Sequence, residues 1–449
     1  MAMVAVVGVL GNSPASAEAE ATIELGMVPM SQVSTLADEV GRKVSPAVRQ
    51  PGQKPTRVPK SAEELDEIRR PGTQFAPVSS RIANRPPVPG SAAFSPVDDP
   101  ITRAECQKFY ENTEPPPDQW HKNRFNLCYG AILQARKIDQ NGAVLAAIQA
   151  KAVFMISMNK NARSAVVSVE LFDWFNVGGL FPTSQKITFG TGCWDPEVGG
   201  PECTPDTVSF DDTIANWQNR GIRQKVVEFS GTSAMRPDDP APNEKRSFYQ
   251  FVPYFYVQTG RGTETDFVRW PEQNLRCDVA RTVVNDKYVR GSDCVFHKDV
   301  GILKLDASRP DMAESVNFIR DAFDNIGSTK PGTAGSYVPG KFGTPTSLSR
   351  LYYDQALRAA NRDHSIETCI ANYGRNYTVR PDGKTNDCDE YPFAGTHEGS
   401  HLAQFAFPRS FAVRPLLNLH NQMVGSELST YLAQDHVVEG DRFQVHVYN

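Results

Sequence analysis

Eight cysteines fall into four pairs of near neighbours along the chain: Cys106 with Cys128, Cys193 with Cys203, Cys277 with Cys294, and Cys369 with Cys388. None makes a C-x-x-C knuckle, so the pattern reads as disulfides rather than metal ligands. If neighbours pair, each bridge closes a short loop within one unit, and a typical bridge contributes about 2–4 kcal/mol. Such staples confine folding to local blocks and point to an oxidising compartment. Spacing alone leaves the connectivity open.

The chain's 449 residues exceed one ordinary core and imply two or three domains. Met1 to Leu10 is apolar but too short to span a bilayer, and Ala15-Ser16-Ala17 has the form of a processing site. Residues 1–17 are therefore expected to be a truncated signal peptide of a secreted, extracellular protein. Residues 18–100 are proline-rich and short of aromatics, the composition of a disordered linker or pro-segment. Strand candidates punctuated by glycine and proline fill 101–307, among them Ala143 to Met158, Lys225 to Phe229 and Phe248 to Val257. They predict a β-rich antiparallel sandwich of unknown role. Helical spacing follows at Met312 to Asn325, within a helix-and-linker stretch, 308–346, and again at Leu348 to Asn361, opening a last unit, 347–449. The fold class is α+β.

The densest chemistry lies in Asp387-Cys388-Asp389-Glu390-Tyr391-Pro392. Carboxylates packed this closely repel one another, and a cation or a shared proton relieves the repulsion. On a strand, Asp387, Asp389 and Tyr391 share one face, and Cys388 and Glu390 the other. Cys388 turned toward Cys369 would staple the strand. Asp387 and Asp389 would then stand about 7 Å apart on an open face, suited to a cation or water between them. On these four residues alone, a solvated acidic turn is the better account.

The string resembles the C-D-E-[YW]-P-x-A signature of the NucA/NucB-type deoxyribonucleases. The resemblance runs from about Lys384 to the C-terminus: Glu398-Gly399, the strand Phe411 to Pro415, then Asn421 and Gly425, and finally Gly440 to Val445. It implies a ββα-metal nuclease acting on DNA with one divalent ion, Mg²⁺ or Mn²⁺. Carried onto this sequence, Asp389 is the general base, Asn421 at the start of a helix from Met423 to Leu432 is a metal ligand, and Glu390 and Glu398 hold the metal or its waters. Phosphate contacts would come from Arg414, or from Arg375, Arg380 or Arg409. The chain departs from the family pattern at His420, where an acid or serine is expected. A neutral amide alone binds Mg²⁺ or Mn²⁺ weakly, so a carboxylate or coordinated waters should complete the shell.

Net charge is −5, so nothing global attracts nucleic acid, and a nuclease built on this chain needs a local cationic groove. Two other classes compete. His397-Glu398-Gly399-Ser400-His401 fits H-E-x-x-H, which on a helix makes a zinc protease, although Gly399 and Ser400 are poor helix-interior residues. A non-catalytic extracellular binding protein is the third.

Overall fold

The computed structural model describes residues 3–9, 22–31, 40–41, 60–72, 100–113, 119–159, 162–178, 181, 183–196, 202–230, 244–258, 267–279, 281–284, 287–290 and 293–449. The processing site at Ala15 to Ala17 lies outside them, whereas Met3–Val9 is a strand paired antiparallel with Thr22–Val28. Within the expected linker, Ala62–Arg69 forms a helix, α1. The Ser61 hydroxyl accepts from Glu64 N and the Glu64 carboxylate accepts from Ser61 N, a reciprocal cap, and Ile68 is buried. This stretch therefore folds despite its proline-rich surroundings.

The β-rich part is one continuous sheet where two packed sheets were expected. Its path runs Met3–Val9, Thr22–Val28, Asn126–Ile138, Val144–Met158, Ser164–Gly178, Arg223–Phe229, Glu202–Thr213, Lys186–Trp194, Arg246–Gln258, Gln273–Asp278 and Asp293–Val295. The two arms meet at Glu202–Thr213, which pairs with Lys186–Trp194 along most of its length but with Arg223–Phe229 only through Cys203 and Thr204. Across that thin seam the sheet curls, so Phe154 and Val167 of one arm join Phe189, Phe251 and Leu275 of the other in one core. Helix α2 (Arg103–Asn112) lies on the sheet, stapled by Cys106–Cys128, while α3 (Ile214–Asn219) buries Trp217. Gly130 makes room for α2: a Cβ there would stand 2.5 Å from the Tyr110 ring.

The C-terminal unit starts earlier than the sequence reading drew it. Gly301–Asp306 pairs in parallel with Arg442–Tyr448, which also pairs with Leu348–Ser349, so the segment before Ala307 builds the last unit's sheet. Helix α4 (Ala313–Asp324) packs Val316, Phe318 and Ile319 into the same core. Helix α5 (Gln355–Tyr373) outruns its expected end at Asn361. Asp354 caps its start, and its buried stripe Asn361, Ser365, Cys369 repeats every fourth residue. The strands Asn386–Tyr391 and Ala412–Leu417 form an antiparallel hairpin. Their connection holds the short helix α6 (Ser400–Ala403), and α7 (Asn418–Gln434) follows the second strand. All eight cysteines are bonded to their sequence neighbours. Among the described residues no helix is long and apolar enough to cross a membrane.

Candidate active site on the hairpin

Strand alternation sorts the acidic string onto two faces. Cys388 is bonded to Cys369 of α5, and Glu390 on the same side accepts Arg362 Nη1 at 2.8 Å. Tyr391, on the other side, packs its ring edge-on to Phe323 of α4. Asp387, at the open start of the strand, accepts Arg362 Nη2 at 2.9 and 2.8 Å on its two oxygens. One guanidinium thus bridges two carboxylates that alternation sends apart. Asn421, in the first turns of α7, donates Nδ2 to Asp387 Oδ2 at 3.2 Å.

Asp389 differs from expectation. Asp387 is partly exposed, but Asp389 is only 5 % exposed because α4 covers its face. The Ser315 hydroxyl on the first turn of α4 lies beside the carboxylate without making a well-formed hydrogen bond, and Asp389 Oδ2 is buried with no partner. Burial pushes Asp389 up to about 7, against the smaller pull of Ser315 and the Glu390 amide. Burial likewise pushes Glu390 up to about 7, with Arg362 opposing. The cover is anchored at Glu314, which accepts Leu417 N at 2.9 Å and pairs with Arg380, and whose own N–H reaches His420 Nδ1 at 3.3 Å.

Other expected site residues are engaged elsewhere. Glu398 accepts Ser349 N at 2.7 Å and Ser349 Oγ at 2.9 Å, pinning its loop to the short strand Leu348–Ser349. Arg414, cross-strand from Asp389, donates to Asp321 at 2.8 Å and to the Ser328 carbonyl at 3.1 Å. Arg380 is held by Glu314. The zinc-protease alternative fails on geometry: α6 begins at Ser400, so His397 and His401 do not share a helix, and His397 Nε2 contacts Glu439 at 2.7 Å. The turn before α6 follows from Gly399, where a Cβ would meet the Asn361 amide at 2.3 Å. Arg362 was missed because the periodic pattern was ended one residue before it. The stripe continuing through Ser365 to Cys369 was the signal that could have found it.

Asp387 and Asn421 stand side by side with the amide nitrogen turned to the carboxylate, and each side chain carries oxygen that could serve a cation. Among the described residues no three His, Cys, Asp or Glu side chains gather as a metal site. This donor set is poor for Zn²⁺ and fits a hard cation such as Mg²⁺, which keeps several waters and needs only one or two carboxylates. Arg362 holds Glu390 and Asp387 alike, so an ion at Asp387 would share that carboxylate with the guanidinium.

Residues 341–446 match the family model for Deoxyribonuclease NucA/NucB. The match takes in α5, the hairpin and α7, and leaves α4 outside. No curated protein and no solved structure matches the chain.

Proposed function

We propose that the C-terminal unit is a divalent-metal-dependent endonuclease of a secreted protein, hydrolysing DNA phosphodiester bonds. The observation that carries this reading is the contact of Asp387 with Asn421 and Arg362 at the mouth of the hairpin, within the matched region. Asp387 and Asn421 would hold Mg²⁺ or Mn²⁺, which when bound supplies stabilisation of charge developing on the phosphoryl oxygens.

The remaining roles belong to this chain's side chains. Asp389 takes the proton of the attacking water. With its pKa near 7 it is a stronger base than an ordinary carboxylate yet still ionised in good part at neutral pH. Arg362, fixed by Asp387 and Glu390, turns toward the scissile phosphate, a task for which the planar guanidinium suits better than lysine. Glu390 orients Arg362, and Glu398 holds the 397–400 loop through Ser349 without touching substrate.

The test is cleavage of supercoiled plasmid by the whole protein with Mg²⁺ or Mn²⁺ and with chelator, beside an RNA substrate. Nicking that needs the added ion supports the reading. Absence of nicking under every ion tried sinks it.

A further inference from the structure

Two long stretches of the C-terminal unit, residues 325–353 and 399–426, contain no aspartate or glutamate, in a chain of net charge −5. The fold lays them against each other. Tyr337 N donates to the Pro408 carbonyl at 3.0 Å, Ser410 N donates to the Tyr337 carbonyl at 2.8 Å, and Lys330 bridges to Val413. Along this seam Phe405 and Phe407 are 78 % and 69 % exposed, with Tyr337 at 43 %. Gly335 backs Phe407 closely enough that a Cβ there would lie 4.0 Å from the ring tip. Arg409 makes no ion pair with any described residue, and its Nε is buried without a partner. A single exposed apolar side chain is ordinary, but three exposed aromatic rings along two stretches that carry cations and no acid are not.

We propose that this seam is a stacking platform for an unpaired nucleic-acid strand. Phe405 and Phe407 receive bases on their faces, and Arg409 and Lys330 take backbone phosphates. Every base has a π face, so such a platform tolerates any sequence, and the acids that reach the two stretches from α4 are themselves paired, Asp321 with Arg414 and Asp324 with Lys341. The cations distinguish this occupant from an apolar protein patch, which would leave them unmatched. The platform stands at the end of the hairpin away from Asp387, on the order of 15–20 Å along the strand at about 3.3 Å per residue, a span a short stretch of strand can cover. The inference rests on the nuclease reading and adds to it the form of the substrate, a single or locally melted strand.

The experiment uses the full chain in chelator, so that nothing is cut, and reads fluorescence anisotropy of a labelled oligothymidylate and of a duplex of equal length. Phe405→Ala/Phe407→Ala should weaken oligothymidylate binding by about tenfold per ring while leaving the duplex little changed. Arg409→Ala should reduce the salt slope by about one unit. With Mg²⁺, the double variant should hydrolyse a small aryl phosphodiester as the parent does. Both rings are largely exposed, so the fold does not depend on them. Equal oligothymidylate affinity in parent and double variant, or no binding by the parent, overturns the platform. A parent that binds through these rings but never cuts overturns the nuclease reading alone.

Discussion

Arg276, on the curled sheet, grips Asp441 of the C-terminal unit with both terminal nitrogens, at 2.6 and 3.1 Å. Arg124 adds a third contact to the same carboxylate at 2.6 Å, and all three side chains are buried. Burial opposes ionisation of Asp441, but Arg276 and then Arg124 outweigh it and hold the carboxyl far below the usual range. The β-rich part is therefore bonded into the last loop of the C-terminal unit.

Asp441→Ala should cost about 3–5 kcal/mol, because it strands two buried guanidinium groups. Since the folded-state pKa of Asp441 is depressed, its stabilisation is present above the unfolded value near 4 and fades as pH falls below it. Denaturant titrations of parent and variant at pH 7 and at pH 3 check this. The difference between them should shrink in acid.

A fragment starting near Ser347 should be unstable, since it drops Gly301–Asp306, the partner of Arg442–Tyr448, and the whole of α4. A fragment starting at Asp299 keeps both but leaves Asp441 without Arg124 and Arg276. Circular dichroism melts should rank full chain, then the Asp299 fragment, then the Ser347 fragment. Equal melting of all three would remove the interface from the account.

The hairpin, its staple and the general place of the chemistry were legible from local signals: alternation, cysteine spacing and one dense acidic string. The cover over Asp389 was not. It depends on α4 crossing from a segment distant in sequence, and nothing in Ser315 or its neighbours announces where that helix lands. The same holds for the curled sheet, because alternation marks strands but not which arm a short seam such as Cys203–Thr204 will join. Arg362 lay within reach of sequence reasoning. Glu398 looked catalytic because its type and position matched, while its hydrogen bonds to Ser349 are a matter of tertiary geometry.

Asp389→Asn should separate stability from function. The folded-state pKa of Asp389 is raised above its unfolded value, so its penalty on stability appears as pH rises from about 4 through about 7. The neutral amide should therefore stabilise the protein at pH 8, on the order of 2 kcal/mol, while losing about 10²–10⁴-fold in cleavage rate. The ascending limb of the parent's pH–rate profile near pH 7 should vanish with it. Thermal melts and initial rates at stepped pH measure both.

Arg362→Lys should reduce cleavage by about tenfold or more, since a single ammonium cannot span Asp387 and Glu390 in the fork geometry. Rates at saturating DNA and far below saturation show whether the loss falls on turnover. A loss confined to binding would make Arg362 a general phosphate contact.

The central claim is that Asp387 and Asn421 together hold the activating ion. The most direct measurement is a titration of plasmid nicking with Mg²⁺ and Mn²⁺ for the full chain, Asp387→Asn and Asn421→Ala. The account predicts that each substitution raises the ion concentration needed for half activity, by about tenfold for Asn421→Ala and more for the carboxylate. Unchanged titration midpoints in both variants would contradict it.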